Sequence, residues 1–359
     1  MSIRRSMLAL TLTATVGIAA GCAAPSSSGS GKALAGDSEP QGATEFAPAT
    51  EFATIDPSLV ADAKAEGGEL LWYDSSPDDQ AKKVLDDFKK DYPFIKKGKH
   101  VVLRAGDIAA RVSQESQANA DTADVITVDA ATLGQLSQRD LLTDVDWAKD
   151  GVPKEVAPNK NMVVSGASVF AFLYNTDKVA QADVPSSWDD IIDQKWAGKV
   201  GTWDKPYAFA ELVPALGGDK AREYHDAYSG LKPKKYESTF PLAQAVGAGE
   251  IDAGLGLYHA AQPAIAAGSP IKVFIPDPAP VTLLYSSVPK SGANTKTGEL
   301  FAAWLTSKSG APSYDKATQR GNVLLPGTDA SEIVEGRQVS DFAAKDASKL
   351  TTWLEEFSR

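Results

Sequence analysis

Cysteine and histidine are scarce in this chain. A single cysteine among 359 residues excludes an intrachain disulfide, and three histidines leave few ways to assemble a histidine-based catalytic triad. The sequence also lacks a G-x-S-x-G turn after a strand, an H-E-x-x-H helix and a C-x-x-C pair. These absences argue against an enzyme.

Long hydrophobic runs are missing after the first 20 residues, so no later stretch is long and apolar enough to cross a bilayer. The formal net charge of −11 argues against nucleic acid or an anionic membrane surface as a partner, because both would be repelled. What the chain does have is length and apolar content. Its 359 residues, 43% of them hydrophobic, can bury a substantial core divided between two domains or two lobes.

The N-terminus has the pattern of an export signal. Arg4 and Arg5 precede an apolar stretch at residues 7–20, and Ala-Ala-Gly then leads to Cys22. This pattern resembles a bacterial lipoprotein lipobox, which implies removal of residues 1–21 and attachment of a lipid to the Cys22 sulfur. An ordinary secretory signal is the alternative, and the paired arginines leave the Sec and twin-arginine routes both open. We expect an extracytoplasmic protein that its lipid anchors to the cell membrane.

Residues 22–55 are predicted to form a flexible tether behind the lipidated cysteine. They are rich in Ala, Ser, Gly, Pro and Thr, and they repeat ATEFAP as ATEFAT. Such a composition has too little apolar content to build a core.

Strands and helices alternate in the first half of the folded part. Sequence patterns predict strands at residues 69–73, 100–104 and 123–128. They predict helices that begin with Asp56-Pro57 and, later, helices at residues 78–90, 108–120 and 130–139. The βαβαβ order predicts a parallel sheet, in which ligands bind beyond the carboxyl ends of the strands. Asp74, Ser75, Gly106 and Asp129 fall at those ends, with Gly106 in a turn.

Structural roles alone would also explain these polar residues. The turn Asp74-Ser75-Ser76 lies at a helix N-terminus, where free backbone N–H groups suit an anion, but Ser76 would also serve as a plain cap before Pro77. Asp129 would cap the following helix with or without a ligand contact. Both interpretations stay open at both places.

The second half carries aromatic residues near predicted strand ends. Residues 173–204 read as an apolar run, a turn, a short helix capped by Ser186-Ser187, and a second strand. Four ring-bearing side chains follow this strand and a later one at residues 251–257: Trp203 and Tyr207 in a loop, and Tyr258 and His259 before a helix. Packing is the alternative role for each.

Two apolar stretches, near residues 168–176 and 280–288, are predicted to carry the chain between two lobes. This assigns residues 56–167 with 286–340 to the first lobe, and residues 168–285 with 341–359 to the second.

Three stretches of the sequence are distinctive as a set. They read LLWYDSSPDDQAKKVLDDF at residues 70–88, LYNT…VPSSWDDIIDQKWAGKVG at 173–201 and GEIDAGLGLYH at 249–259. Together they resemble the ferric-ion-type family of solute-binding proteins of ABC importers. The resemblance implies an α/β, two-lobed, periplasmic-binding-protein-like (type II) fold with two mixed or parallel sheets and two crossing strands. It also implies a non-catalytic monomer that delivers its ligand to an ABC permease and its ATPase.

The resemblance implies a metal site as well. Family members that bind ferric iron use two adjacent tyrosines, where this chain has Tyr258 and His259, and a carboxylate, where it has Asp129. Phenolate, carboxylate and imidazole could coordinate a hard ferric ion, which would be the transported ligand rather than a catalytic cofactor. Near where the family holds a second anion with Ser and Asn, this chain has Pro206 and Thr239.

The predicted ligand-binding set joins these residues to the strand-end residues: Asp74, Ser75, Ser76, Asp129, Trp203, Tyr207, Thr239, Tyr258 and His259. Ferric ion is the favoured ligand. Because the second tyrosine is lost and serines lie at a helix end, a small organic anion such as a phosphonate or sugar phosphate is the alternative. Two other classes also stay open, a lipoprotein that presents its ligand to a membrane kinase and an enzyme on the same fold.

Overall fold

A computed structural model describes residues 48–342 and 346–359. Residues 1–47, with the export signal, Cys22 and most of the tether, lie outside the described residues. The α-helices are α1 (Pro57–Ala65), α2 (Asp78–Asp91), α3 (Ala105–Gln117), α4 (Ala130–Gln138), α5 (Trp188–Ile191), α6 (Tyr207–Ala210), α7 (Val213–Leu216), α8 (Gly218–Gly230), α9 (Thr239–Gly247), α10 (Tyr258–Ala266), α11 (Thr295–Trp304), α12 (Gly310–Thr318), α13 (Asp329–Ile333) and α14 (Ala347–Phe357). Within the described part of the chain, none of the helices has the length and apolar character needed to span a bilayer.

The strands are β1 (Glu69–Asp74), β2 (Lys97–Val102), β3 (Val125–Asp129), β4 (Val163–Asn175), β5 (Val200–Trp203), β6 (Lys234–Tyr236), β7 (Ala253–Leu257), β8 (Ile271–Phe274), β9 (Ala279–Ser287) and β10 (Val339–Ser340). Short 3-10 helices span Lys154–Val156, Gln181–Asp183 and Gln194–Trp196.

The first α/β unit follows from local sequence signals. Asp56 caps α1 as predicted, and its carboxylate accepts the Ser58 N–H at 2.7 Å. The turn into β1 needs a glycine at position 68, because its φ is +79° and a Cβ there would lie 2.1 Å from the Phe94 carbonyl oxygen. The apolar residues predicted to face the core from α2 are all buried: Ala81, Val84, Leu85 and Phe88.

Two local expectations are wrong. Ser76 does not cap α2, because Pro77 holds the N-cap position and Ser76 directs its N–H and hydroxyl to the Asp74 carboxylate at 2.6 and 3.0 Å. Such side-chain turns compete with helix caps for the same short polar residues. Gly106 lies inside α3, which starts at Ala105, rather than in a turn.

The strands of the described residues form one mixed, ten-stranded sheet. The order along the sheet is β2-β1-β3-β9-β4-β7-β5-β6, with β10 beside β9 and β8 beside β4. As the βαβαβ order predicts, β1 runs parallel to β2 and to β3, so the carboxyl ends of these strands share one edge.

Strands β4 and β9 are the two crossing strands. β4 pairs with β9 from Val163 to Val169 and with β7 from Phe170 onward, while β9 pairs with β3 on its other side. The prediction of two crossing strands is confirmed. Because the crossing strands also pair with each other, the two half-sheets are continuous rather than separate.

Two buried clusters of apolar side chains stabilise the fold. The larger one includes Trp72 and Phe301 and extends to Leu242 of α9 and Ile271 of β8. The second includes Trp188 and takes in Leu350 and Phe357 of α14. The C-terminal helix therefore packs with residues from the middle of the chain, although the exact ranges of the two lobes stay a prediction.

Candidate functional site

Two predicted acidic residues end neighbouring strands. Asp74 is the last residue of β1 and Asp129 the last residue of β3, and the parallel pairing puts both at one edge of the sheet. Asp129 lies opposite Leu284 of the crossing strand β9. This edge of the sheet therefore meets the crossing, where open α/β sheets bind their ligands.

The Asp74 carboxylate is 1% exposed and already has protein partners. It accepts the Ser76 N–H and hydroxyl and lies 3.1 Å from His100 Nε2, while His100 Nδ1 lies 3.1 Å from Asp78. Burial lowers the pKa of His100, but the hydrogen bonds and charges of Asp74 and Asp78 outweigh this and raise it above its ordinary value. Asp74 and Ser76 thus tie β1, β2 and α2 together and leave Ser75 as the exposed member of the turn.

Ser75 is joined to a basic residue from far along the chain. Arg320 follows α12 and is only 9% exposed. Its Nη1 donates to Ser75 Oγ at 3.1 Å, and its Nη2 donates to His259 Nε2 at 3.1 Å. Because Ser75 follows β1 and His259 lies in α10, Arg320 bridges segments on both sides of the crossing.

The protonation of His259 follows from this contact. A guanidinium only donates hydrogen bonds, so Nε2 must accept and the ring proton must be on Nδ1. Burial, and then the charge of Arg320, hold the pKa of His259 well below its ordinary value, so the imidazole is neutral. Both His259 Nδ1 and Arg320 Nε are buried without a hydrogen-bond partner among the described residues. Buried donors are normally paired, so this cluster has donors left for an additional acceptor.

The crossing strand fixes the backbone at Arg320. The Ala167 N–H of β4 donates to the Arg320 carbonyl oxygen at 3.1 Å, and Asn322 Nδ2 donates to the Val164 carbonyl oxygen at 2.7 Å. The pairing of β4 with β9 is irregular between Val164 and Gly166, and a Cβ on Gly166 would lie 2.4 Å from the Arg320 carbonyl oxygen. The glycine therefore permits the close approach that positions the guanidinium.

No motif or spacing in the sequence marks Arg320. The partners of its guanidinium are 245 and 61 residues away along the chain. A single arginine after a helix is compatible with a solvated surface side chain, and only the tertiary structure shows its burial.

A second group of predicted residues gathers beside Asp129. Tyr207 begins the short helix α6, where a loop was expected, and its ring stacks on Trp203 with centroids 5.3 Å apart and planes 12° apart. Burial, and then the charges of Asp129 and Glu211, raise the pKa of Tyr207 to about 12. The Asp129 carboxylate accepts the N–H and hydroxyl of Thr132 at 2.9 and 3.1 Å, as the cap of α4. Tyr207 therefore offers a neutral hydroxyl close to the end of β3.

Thr239 and Tyr258 each begin a helix near His259. Thr239 is buried at the start of α9, and the next residue, Phe240, lies edge-on to the His259 ring with centroids 5.9 Å apart. Tyr258 is half-buried at the start of α10, and burial, followed by nearby carboxylates, raises its pKa. These residues border the Arg320 cluster on the α10 side.

The predicted metal set of Asp129, Tyr258 and His259 is not linked by direct contacts. No hydrogen bond among the described residues joins Asp129 to either of the other two, and His259 Nε2 is occupied by Arg320. Residues 48–342 and 346–359 hold no group of three or more His, Cys, Asp or Glu side chains arranged to bind a metal ion. A guanidinium beside His259 also disfavours a second cation at that place.

Two buried carboxyl groups lie behind Tyr207, and no sequence motif marks them. Glu211 is fully buried and accepts the Thr282 hydroxyl of β9 at 2.9 Å. Burial and the charge of Asp341 raise the pKa of Glu211 well above its ordinary value, and burial raises the pKa of Asp341 to about 8. Two carboxyl groups held this way keep a proton near neutral pH.

The mixed sheet, the two crossing strands and a polar cluster at their edge define a two-lobed protein of the periplasmic-binding-protein type. Sequence comparison gives the same class: a profile of the family described as bacterial extracellular solute-binding protein matches residues 83–335. The chain belongs to this family, whose members bind substrates and work with ABC transporter permeases outside the cytoplasm.

Solved structures share the fold at low sequence identity. The substrate-binding protein of an ABC transporter from Agrobacterium tumefaciens superposes with a TM-score of 0.68 at 18% identity, covering 87% of this chain and 100% of that one. Iron-bound HitA from Pseudomonas aeruginosa gives 0.65 at 18%, covering 80% and 99%. AfuA from Actinobacillus pleuropneumoniae, with fructose-6-phosphate bound, gives 0.63 at 20%, covering 81% and 98%. Their fold is that of this chain, and the two whose descriptions name a ligand, HitA and AfuA, hold iron and a sugar phosphate.

Proposed function

We propose that this protein is a lipid-anchored receptor, attached through Cys22, that binds a small organic anion between two lobes and delivers it to an ABC importer. The anion would be a phosphonate, a sugar phosphate or a ligand of similar charge. The observation that supports an anion over ferric ion is Arg320, a buried guanidinium whose hydrogen bonds go to the neutral side chains of Ser75 and His259.

The energetic argument concerns a buried charge that has no salt-bridge partner among the described residues. None of the ion pairs among the described residues includes Arg320. Burying a charge without a counter-charge raises the free energy of the folded protein by roughly several kcal/mol. An anionic ligand would recover much of that cost. Charge-assisted hydrogen bonds from Arg320 and a hydrogen bond from the free His259 Nδ1 would hold its oxygens.

Ferric ion is the second candidate, supported by two tyrosines at the site and by the iron-bound relative HitA. A ferric site needs deprotonated phenols. Burial raises the pKa of both Tyr207 and Tyr258, which opposes their ionisation before a metal binds. The neutral His259 beside a guanidinium is likewise a poor neighbour for a trivalent cation.

Presentation of the ligand to a membrane kinase would use the same site and differs only in the partner. A permease gene beside the gene for this protein would favour import.

The test uses the full protein purified in detergent and three separate probes: inorganic phosphate, fructose 6-phosphate and ferric citrate. Titration calorimetry measures binding, and visible absorption spectra detect a tyrosinate–iron band. We expect the phosphate-bearing probes to bind and ferric citrate to give no visible tyrosinate absorption band. A tyrosinate band with ferric citrate that Tyr258→Phe abolishes, together with no heat from either phosphate probe, would overturn the anion proposal in favour of iron.

A further inference from the structure

Glu211 and Asp341 lie where two segments of the chain meet the crossing strand β9. Glu211 directly follows α6, the helix that begins with Tyr207, and its N–H donates to the Tyr207 carbonyl oxygen at 2.8 Å. Asp341 follows β10, which pairs in parallel with the start of β9. The two carboxyl groups therefore connect a segment of the candidate site with the segment that leads towards α14.

Hydrogen bonds connect Glu211 to β9 and to the segment that contains Asp341. Glu211 Oε1 accepts the Thr282 hydroxyl at 2.9 Å, and Oε2 accepts the Phe342 N–H at 3.3 Å. The Ser340 hydroxyl donates to the Glu211 carbonyl oxygen. Asp341 is 4% exposed, and its Oδ2 has no donor from another group of the described residues. Two buried carboxyl groups lie side by side stably only when one of them carries a proton that it donates to the other.

The surrounding titratable groups are acidic or neutral. Asp129 from β3 adds negative charge, and Tyr285 of β9 and Tyr207 of α6 face the same region. Burial, and then the carboxylates, raise the pKa of Tyr285 well above its ordinary value, so it stays neutral. Among the described residues neither Glu211 nor Asp341 forms an ion pair with a basic side chain. Lys345 is nearby in sequence but lies outside the described residues.

We propose that Glu211 and Asp341 share one proton and form a clasp that holds α6 and the segment after β10 against the crossing strand. The clasp positions Tyr207 for the ligand. Loss of the shared proton leaves two adjacent carboxylates, whose repulsion pushes α6 and the C-terminal segment away from β9. The part of the inference that concerns ligand affinity rests on the proposed anion-binding function, whereas the part that concerns the fold does not.

The direction of the pH effect follows from the raised pKa values of both groups. The folded protein holds this proton more tightly than the unfolded chain does, so the stability contributed by the clasp is fully present below the ordinary carboxyl pKa. It is lost as the pH rises towards about 8 and beyond. An added negative charge near the site also weakens the binding of an anion.

The first experiment measures the melting temperature of the full protein between pH 6 and pH 9 for the native chain and for Asp341→Asn. The amide group that this substitution introduces would mimic the protonated carboxyl group. We therefore expect the native melting temperature to fall with rising pH more steeply than that of the variant, which becomes the more stable protein at pH 9. Glu211→Gln should show the same flattened pH profile as Asp341→Asn. It provides the test of the clasp if Asp341→Asn does not fold.

One control separates the pair from other charges. Glu335→Gln removes an exposed carboxylate and should leave the native pH profile unchanged. Parallel pH profiles for the native chain and both pair variants, or a flattened profile in Glu335→Gln, would overturn the clasp.

The second experiment measures the affinity for fructose 6-phosphate at pH 6 and pH 9. We expect equal affinities for the native chain and Asp341→Asn at pH 6, and at pH 9 binding about fivefold tighter in the variant, from the repulsion of one added charge. Equal affinities at pH 9 would overturn the positioning role. Failure to bind at either pH would instead contradict the anion-binding proposal, while the melting profiles would still decide on the clasp.

Discussion

Arg320 combines burial, a positive charge and neutral partners. Its contacts to Ser75 and His259 use two of the three guanidinium nitrogens, and the third is buried without a partner among the described residues. Burial, and then the Arg320 charge, lower the pKa of His259 and keep it neutral, and the hydrogen bond from Nη2 fixes its tautomer. At the scale of single residues, the proposed choice of an anion therefore rests on a side chain that is itself held in place by neutral groups.

The corresponding prediction compares Arg320→Met with Arg320→Lys. Loss of two charge-assisted hydrogen bonds, each worth roughly 1.5–3 kcal/mol, should weaken fructose 6-phosphate binding by about a hundredfold or more in the methionine variant. The lysine variant keeps the charge but not the fork geometry, so its loss should be smaller. Titration calorimetry gives the affinities.

The matched control is Arg139→Met, which removes an arginine bonded to Ser113 away from the site. Its affinity should equal that of the native chain. Native affinity in Arg320→Met would contradict the assignment.

Individual residues were predictable from the sequence where their role is local. Asp56 and Ser187 cap helices as predicted, because an N-cap needs only the next three residues. Asp129 does cap α4, one of its two predicted roles. Arg320 and the Glu211–Asp341 pair could not be found, because their contacts join residues more than 60 positions apart.

The crossing strand β4 is the element on which the Arg320 cluster depends. Its irregular pairing at Gly166 lets the Arg320 backbone approach, so that Ala167 donates to the Arg320 carbonyl oxygen. The strand thus connects the two halves of the sheet and also holds the backbone of Arg320 in place.

Gly166→Ala tests this element. The added methyl group would lie 2.4 Å from the Arg320 carbonyl oxygen and 2.7 Å from Tyr314 Cε1, both buried. We expect a loss of about 1–3 kcal/mol in the free energy of unfolding, measured by urea denaturation, as for other overpacked sites.

Gly134→Ala is the control, because that glycine lies inside α4 and a Cβ there meets nothing within 4 Å. Its stability should rise by about 0.5–1 kcal/mol. Equal effects at both glycines would show that the approach at Gly166 has no importance for stability.

Long elements, which show several repeats of a hydrophobic pattern, were predictable, and short elements were not. Helix α2 has four buried residues at helical spacing and was predicted almost to its ends. Helix α6 spans only Tyr207–Ala210, too short for a period, and was expected to be a loop. Strand β2 begins at Lys97, three residues before its predicted start, because its pairing with β1 rather than its own pattern sets the boundary.

For the whole molecule, the continuous sheet joins two groups of elements through β4 and β9. A ligand held by Ser75, Arg320 and His259 would contact segments on both sides of the crossing, so binding would favour the closed arrangement. The overall class was predictable from the resemblance to a known family, and the βαβαβ order separately predicted the parallel pairing of β1, β2 and β3. The continuity of the sheet was not, because pairing between β4 and β9 is a long-range feature.

Small-angle X-ray scattering tests closure. Addition of saturating fructose 6-phosphate should lower the radius of gyration of the native protein, because the lobes approach each other around the ligand. Arg320→Met at the same concentration should show no change. Compaction of the variant to the same extent as the native chain would mean that closure does not depend on this residue.

The change of partner along β4 has a kinetic consequence. We expect any rotation of the lobes to be concentrated near the peptide between Val169 and Phe170, because β4 leaves β9 after Val169 and joins β7 from Phe170. Arg320 is bound to Ala167 before this point, whereas His259 follows β7 beyond it. Opening of the lobes by such a rotation would separate Arg320 from His259 and break the bond between their side chains. Weakening this hydrogen bond is therefore expected to change the residence time of the ligand more than its rate of binding.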